Sequence, residues 1–382
     1  MESRLLIVTG LAWLYVCGRF VWLLPGGAAP KIVAALALLA VAEYQQVTVR
    51  WFGTLASPEL PHLLLVFLGW AFGSFVLLTA LLLLRDIVGA LTWLVARRGG
   101  HFLLRSGALA IVVGVAAAAF GAIGTWQAIR VPAVRPVTVR VTGLPPAFDG
   151  YRIAQLSDLH ASRLLPRAWM QGVVERTNAL HADLIVITGD LADGTPTARA
   201  PDVAPLVRLH APDGVLAIPG NHEYYADYEG WMAAYRHMGL PMLVNAHVLI
   251  RREDQNLAVA GVTDHQAIAF HEPAPDLAQA LAGIPEGVPT ILLAHRPGEA
   301  SRAAAAGAAL QLSGHTHGGQ IPGLRWLARR SNGGFVSGLY RVAGMPLYVS
   351  NGTGLWNGLV LRLGSPAEIT LLTLKPAQRS AR

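Results

Sequence analysis

The sequence predicts two domains: an all-α membrane domain over residues 1–130 and an α/β domain over residues 137–376. Composition is the first observation, since 53% of the 382 residues are hydrophobic and only 14% are charged, which is more apolar than an ordinary soluble domain. The second observation is a change in residue pattern after Pro132, where long apolar runs are replaced by short ones separated by charged residues, glycine and proline. The net charge of +7 suits anionic lipids, phosphate-bearing substrates or nucleic acid, and does not choose among them.

Four apolar runs occupy the first domain, and each approaches the ~20 residues that cross a bilayer. They cover residues 5–24, 31–49, 62–84 and 106–128. We interpret all four as transmembrane helices, with residues 85–97 as an interfacial extension of the third. Arg19 and Glu43 interrupt the first two runs, and they avoid unpaired burial either by pairing with each other or by reaching the interface. A cleavable signal peptide competes for the first run, but the three further runs favour an uncleaved helix.

The arginines predict an orientation for the second domain. Arg97, Arg98 and Arg105 lie between the third and fourth runs, whereas Arg50 alone lies between the second and third. The positive-inside rule then places the third loop in the cytoplasm and the second domain on the outer face. The arginines at positions 130 and 135 weigh the other way.

The second domain has the pattern of an α/β fold. Strand-length apolar runs cover residues 137–141, 152–156, 184–188, 215–219, 257–262, 290–294 and 310–312, and helical stretches lie near 167–181, 202–210, 227–238 and 274–282. Strands alternating with helices predict an α/β sheet. Later strand-like runs, without helices, cover 335–341, 347–350, 359–363 and 369–374. They predict a second sheet packed on the first.

Five polar clusters follow the predicted strands, where an α/β sheet presents its loops to a ligand. They are Asp158-Leu159-His160, Gly189-Asp190-Leu191-Ala192-Asp193, Gly220-Asn221-His222-Glu223, Ala294-His295 and Gly314-His315-Thr316-His317-Gly318-Gly319. Their carboxylates, amide oxygen and imidazoles suit divalent Mn, Fe or Zn. The single cysteine, Cys17, excludes both an intrachain disulfide and a thiolate site. The set is too large for one ion and predicts two cations about 3.5–4 Å apart that share an aspartate.

In order, these clusters resemble the pattern of the calcineurin-like metallophosphoesterases, namely DxH, GDxxD, GNH(D/E), H and GHxH, over residues 151–320. The resemblance implies a four-layer αββα sandwich and a metal-dependent hydrolase that cleaves a phosphoester or pyrophosphate bond. It implies one metal ion held by Asp158, His160, Asp190 and His317, and a second held by Asp190, Asn221, His295 and His315. His222 would be the proton donor or a stabiliser of transition-state charge, and Asp193 would orient it. A hydroxide held between the two ions would attack phosphorus in line.

Hydrophobic helices before a GHTHGGQ motif are similar to the membrane-associated branch of this superfamily, which includes bacterial transmembrane metallophosphoesterases. That similarity implies the bacterial inner membrane, and the outer face that the arginines favour for the catalytic domain is then the periplasmic face. It also implies a phosphate-containing, lipid-linked substrate such as UDP-diacylglucosamine. Residues 350–358 depart from the arginine-containing loop that the branch commonly carries there, so substrate selection by that loop is not carried over.

Several residues outside the metal motifs are candidates for substrate binding. Arg296 either clamps a phosphate or is an ordinary surface arginine. Trp356 and the Tyr224-Tyr225 pair either line a lipid or sugar pocket or pack in the core. Gln320 is expected to shape the wall after the last metal ligands.

Two other functions fit parts of the sequence. The same centre serves nucleases and cyclic-nucleotide phosphodiesterases, but the second domain has no basic stripe with interleaved aromatic residues, so we expect no nucleic-acid partner. A membrane receptor with a non-catalytic metal module is the other alternative. Asp193 and His222 argue against it, because a metal scaffold needs no proton donor. The sequence indicates no oligomeric state.

Overall fold

The computed structural model describes residues 2–54 and 56–377, and the chain divides into two compact units. The first unit comprises Met1–Gln127 and Asn357–Leu363. The second comprises Ala128–Trp356 and Gly364–Arg382.

Helices form most of the first unit. They are α1 Glu2–Arg19, α2 Ala28–Phe52, α3 His62–Val95, α4 Arg97–Arg105 and α5 Gly107–Ile129. Among the described residues, four stretches are long and apolar enough to cross a membrane: Leu6–Leu23, Ala28–Phe52, His62–Val95 and Gly107–Ile129. The sequence expectation of four apolar helices is confirmed.

Arg19 pairs with Asp86 and not with Glu43, so the interhelical pairing considered from the sequence is wrong. Arg19 Nη2 lies 2.9 Å from Asp86 Oδ1, and Glu43 accepts a hydrogen bond of 2.8 Å from the Thr9 hydroxyl. Helix α3 is 34 residues long and continues past the apolar run read from the sequence. Asp86 lies in this continuation of α3, and its carboxylate is the one that Arg19 contacts.

Residues 359–363 were expected to form a strand, but the structure assigns them no strand, and they belong to the first unit. The Thr125 hydroxyl donates to the Val360 carbonyl at 3.0 Å, and the Arg362 N–H donates to the Gly124 carbonyl at 3.0 Å. Gly69 leaves space for Val360, because a Cβ at that glycine would lie 2.7 Å from the valine Cβ. Helices therefore satisfy the backbone groups that a neighbouring strand would otherwise take.

The second unit contains both strands and helices up to residue 331, and the described residues after it form strands without helices. The strands are β1 Ala133–Val141, β2 Arg152–Leu156, β3 Leu184–Thr188, β4 Val215–Ile218, β5 Ala246–Arg252, β6 Gln255–Gly261, β7 Thr290–Leu293, β8 Leu310–Ser313, β9 Gly338–Val342, β10 Met345–Val349 and β11 Glu368–Pro376. The helices are α6 Arg167–Asn178, α7 Pro196–Val203, α8 Asn221–Ala226, α9 Tyr228–His237, α10 Leu277–Leu281, α11 Ala300–Ala305 and α12 Pro322–Ser331.

These strands form two mixed sheets. The first has the order β1-β11-β2-β3-β4 and the second β5-β6-β7-β8-β10-β9. One buried cluster joins Val186 and Ile218 of the first sheet to Val259 and Ile291 of the second, so the two sheets pack face to face. Alanines of α10 and α11 pack with Leu292 on the other face of the second sheet. This arrangement confirms the predicted α/β sandwich.

The division of strands between the sheets differs from the sequence expectation. The second sheet begins at β5 and not after residue 334. Strand β11 returns to the first sheet, where it lies parallel to β1 and antiparallel to β2. Hydrophobic periodicity identifies a strand but does not identify its partner, because pairing depends on contacts distant in the chain.

Candidate metal centre

The predicted ligands follow the carboxyl ends of parallel strands. Asp158 lies two residues beyond β2, and Asp190 lies two residues beyond β3. His295 and His315 follow β7 and β8 at the same interval. Since β2 is parallel to β3 and β7 is parallel to β8, the loops of each pair leave from the same edge of their sheet.

The backbone at these loops is unusual for residues with side chains. Positive φ angles occur at Asp158 (53°), His160 (46°), Asp190 (53°), His315 (69°) and His317 (49°). Left-handed backbone costs such residues on the order of 1–3 kcal/mol each and persists where the surroundings enforce it. The turns direct several polar side chains from short segments toward one place.

Asp158, His160 and His317 form the first group of potential ligands. His160 Nε2 lies 3.3 Å from His317 Nε2, and His317 Nε2 lies 3.6 Å from Asp158 Oδ1. The other nitrogen of His160, Nδ1, lies 3.0 Å from Asp193 Oδ1. The Asp193 carboxylate accepts a hydrogen bond from the Nδ1–H of His160. The lone pair on His160 Nε2 therefore faces Asp158 and His317.

Asp190, His295 and His315 form the second group. His295 Nδ1 donates to the Thr188 carbonyl at 2.8 Å, so the Nε2 lone pair points the other way. That Nε2 lies 3.2 Å from Asp190 Oδ2 and 3.2 Å from Asn221 Oδ1. It also lies 3.2 Å from Nδ1 of His315.

The lone pairs that face one another within each group indicate whether a metal ion fits there. Nitrogen and oxygen acceptors converge in each group, and a neutral His160 or His295 has already placed its proton on its far side. Facing acceptors repel one another unless a cation lies between them, in which case each becomes a ligand. The three oxygen and nitrogen atoms around His295 Nε2 and that nitrogen itself, with no sulfur, suit a divalent transition metal. The residues present therefore fit divalent metal ions.

His222 lies beside both groups. Its Nδ1 is 2.6 Å from Asp193 Oδ1, and its backbone N–H donates to Asp190 Oδ1 at 2.8 Å. Burial by itself lowers the pKa of the His222 imidazole, but the negative charges of Asp190 and Asp193 outweigh this and raise the pKa to about 9. Asp193 thus holds His222 in one orientation and favours its protonated form.

Two of the candidate substrate contacts lie next to His222. The Trp356 ring centroid is 6.1 Å from that of His222, and the Tyr225 ring centroid is 5.1 Å away. Tyr224 is separate from them: it is buried and stacks on Tyr228 at 4.3 Å. The tyrosine pair therefore divides, with one ring in the core and one at the site.

Arg296 and Gln320 belong to neither group of potential ligands. Arg296 Nε donates to the buried carboxylate of Asp264 at 2.7 Å, so the arginine is held by an ion pair. It lines a cavity of about 250 Å³ together with His295. Gln320 follows the ligand loop with a φ of 57°.

Sequence reasoning quoted Glu223 within its motif but assigned it no role. Its fully buried carboxylate accepts from the backbone N–H groups of Gly220 at 2.7 Å, Leu191 at 2.8 Å, Asp190 at 3.2 Å and Ala192 at 3.3 Å. One side chain thus joins the loop after β3 to the loop after β4. The available signal was an acidic residue placed directly after a predicted ligand and proton donor.

Comparison with known proteins agrees with this geometry. Residues 151–319 match the family model described as "Calcineurin-like phosphoesterase". The chain is 40% identical over 267 residues to a transmembrane protein with metallophosphoesterase domain from Bos taurus, covering 67% of this chain and 60% of that protein. It is 33% identical over 247 residues to the uncharacterized metallophosphoesterase YkuE of Bacillus subtilis, covering 62% of this chain and 84% of that protein.

A 5'-nucleotidase precursor from Thermus thermophilus matches with a TM-score of 0.37 and 15% identity, covering 58% of this chain and 54% of that one. The chain spans 60% and 63% of the lengths of its relatives from Bos taurus and Danio rerio. Because the match to the Bacillus protein extends over most of that relative and includes the motifs whose side chains converge here, the chain belongs to the calcineurin-like phosphoesterases, a family of metal-dependent phosphoester hydrolases.

Proposed function

We propose that this chain is a membrane-anchored hydrolase that uses two divalent ions to cleave a phosphoester or pyrophosphate bond. The observation that carries the proposal is the position of Asp190 between two groups of ligands. Its Oδ2 lies 3.2 Å from His295 Nε2 and 3.7 Å from His160 Nε2. A carboxylate that faces both groups is suited to be shared by two ions. Asp158, His160 and His317 would hold the first ion together with Asp190, and Asn221, His295 and His315 would hold the second.

The nature of the ligands favours Mn, Zn or Fe at both positions. Imidazole nitrogens and carboxylate oxygens suit these ions, whereas a soft, thiolate-loving ion lacks a partner. When bound, such ions lower the pKa of a water molecule and stabilise negative charge on phosphoryl oxygens. Metal analysis of protein purified without added metal, followed by reloading with each ion, identifies the one that supports hydrolysis.

In this proposal His222 transfers a proton to the leaving oxygen. Asp193 accepts from Nδ1, which leaves Nε2 on the opposite side of the ring for a substrate atom. The second hydrogen bond, from the His222 backbone to Asp190, fixes the residue relative to the bridging carboxylate. The donor and the metal ligands are therefore positioned by the same loops.

We expect His222→Ala to retain both metal ions and lose turnover, because the residue acts on the proton and is not a ligand. General acid catalysis by a positioned side chain typically contributes about 10²–10⁴-fold. The measurement is hydrolysis of bis(p-nitrophenyl) phosphate with added manganese, alongside metal content. His237→Ala, at an exposed position of α9, is the control. A His222 variant with full activity contradicts the role, and metal loading without turnover in the wild type favours a receptor.

For the substrate, we propose a lipid-linked phosphate or pyrophosphate such as UDP-diacylglucosamine. The support is the aromatic pair at His222: Tyr225 and Trp356 offer apolar contact beside the point where a proton is delivered. The test compares UDP-diacylglucosamine with a water-soluble UDP-sugar and with bis(p-nitrophenyl) phosphate. If only the soluble compounds are hydrolysed, the proposal of a lipid-linked substrate fails, whereas the proposal of a phosphoesterase stands.

We also propose that the membrane is the bacterial inner membrane and that the catalytic unit lies on its periplasmic face. The support is the cluster of Arg97, Arg98 and Arg105 between α3 and α5, which favours a cytoplasmic position for that connection. A reporter that is active only in the periplasm, fused to the carboxyl terminus, should be active. If only a cytoplasmic reporter is active at that position, the catalytic unit lies on the cytoplasmic face and the proposed orientation is wrong.

A further inference from the structure

Helix α12 presents large apolar side chains to solvent. It has no buried residue, and Trp326 and Leu327 are 67% and 53% exposed. A helix on the surface of a soluble domain normally turns its largest apolar residues toward the core. Here the half-buried positions are Leu324 and Ala328, one turn apart, so the tryptophan lies on the opposite face of the helix.

The same exposed face is basic. We define the α12 surface as Arg325, Trp326, Leu327, Arg329 and Arg330. The Arg330 guanidinium lies 5.8 Å from the Trp326 ring centroid, and Arg329 Nε donates to the Gly334 carbonyl at 3.1 Å. Among the ion pairs of the described residues, none neutralises these three arginines. An exposed tryptophan between unneutralised arginines is the composition found at the headgroup level of a membrane.

We propose that the α12 surface binds the headgroup region of an anionic phospholipid bilayer. The arginines attract anionic lipids, while Trp326 and Leu327 enter the boundary between headgroups and acyl chains. One tryptophan and one leucine bury too little area for stable binding alone. In this chain the helices of the first unit are long and apolar enough to cross a membrane. In the proposed function this anchoring raises the local concentration of lipid, so that a weak contact is effective.

This contact is adjacent to the ligand loop of the metal centre. Helix α12 begins five residues after His317, and a Cβ on Gly319 would lie 2.6 Å from the Arg325 Cα. The helix and the loop therefore pack directly on each other. Lipid bound to the α12 surface brings headgroup phosphates beside the catalytic centre. The inference rests on the membrane anchoring in the proposed function and is independent of its chemistry.

The test places an environment-sensitive fluorophore on the α12 surface of the full chain in lipid nanodiscs. Cys17 is the only cysteine in the sequence, so Cys17→Ala gives a background for Leu327→Cys labelled with a nitrobenzoxadiazole probe. With phosphatidylglycerol present, we expect a blue shift of its emission and quenching by spin-labelled lipid. The matched control is Asp254→Cys, whose side chain is 98% exposed; its label should stay accessible to aqueous iodide.

A second variant tests the charge requirement. Arg325→Gln/Arg329→Gln/Arg330→Gln should lose the increase in lipid quenching that phosphatidylglycerol gives over phosphatidylcholine, while hydrolysis of bis(p-nitrophenyl) phosphate stays unchanged. A label at residue 327 that iodide quenches as strongly as the label at 254 overturns the inference, whether or not the protein is an active phosphoesterase.

Discussion

A single carboxylate oxygen, Asp193 Oδ1, connects the predicted ligands to the predicted proton donor. It lies 3.0 Å from His160 Nδ1 and 2.6 Å from His222 Nδ1. The sequence assigned Asp193 to His222 alone. Because the same oxygen also contacts the ring of His160, we expect a change at Asp193 to alter both metal binding and proton transfer, and a change at His222 to alter only proton transfer.

Glu223 is the residue whose importance is visible only in three dimensions. Its carboxylate accepts hydrogen bonds from the backbone N–H groups of Asp190, Leu191 and Gly220. These bonds hold Asp190 in its left-handed conformation, with a φ of 53°. A carboxylate that satisfies several buried donors at once is a positioning group for a ligand that needs an unusual backbone.

We expect Glu223→Gln to weaken metal binding about 10–100-fold, the range typical of groups that orient ligands. The amide keeps the shape but turns an N–H donor toward backbone donors. Titration calorimetry with manganese measures the affinity, and saturating metal should recover part of the turnover. Tyr235→Phe is the control, since it removes only a 3.4 Å bond to the same carboxylate. Unchanged metal affinity in the glutamine variant contradicts the role.

Among the secondary-structure elements, several strands carry the predicted ligands in the loops that follow their carboxyl ends. Strands β2, β3, β4, β7 and β8 are each followed within a few residues by a loop that carries a predicted ligand, so the sheets fix the starting points of these loops. The sequence indicated this arrangement because each polar cluster directly follows an apolar run. It did not indicate that residues 357–363 pack among helices.

Gly69 tests the packing of that segment. We expect Gly69→Ala to destabilise the first unit by about 1–3 kcal/mol, the usual cost of overpacking, because the new Cβ meets the Val360 side chain at 2.7 Å. Thermal unfolding of detergent-purified protein provides the measurement.

Gly18→Ala is the matched control for this change, since a Cβ there meets nothing within 4 Å. Equal melting temperatures for the two alanine variants would show that residues 357–363 do not pack against Gly69.

For the whole molecule, the candidate metal centre concentrates negative charge inside the second unit. Asp158, Asp190, Asp193 and Glu223 are all buried there. Burial raises the pKa of the Asp158 carboxyl although neighbouring histidines oppose the shift, so solvent would stabilise the ionised form of Asp158 better than the folded state does. A cation beside Asp158 would offset this cost.

Metal removal should therefore lower the melting temperature of the full chain. A ligand present at 100 times its Kd stabilises the folded state by about 2.7 kcal/mol. Thermal scans before chelation, after chelation and after addition of manganese measure the change, with metal content determined on each sample. Identical melting temperatures for metal-free and metal-loaded protein would contradict a metal centre built into the fold.

The sequence by itself determined the four apolar helices, the strand-rich domain and the set of polar clusters that identify the family. These features are local: hydrophobic run length, periodicity and the residues that follow a strand are set by neighbours in the chain. The tertiary structure alone decided that Arg19 pairs with Asp86, that β11 enters the first sheet, that Glu223 holds two loops, and that Tyr225 faces His222 while Tyr224 lies in the core. These features depend on contacts between distant segments, which propensity and spacing do not encode.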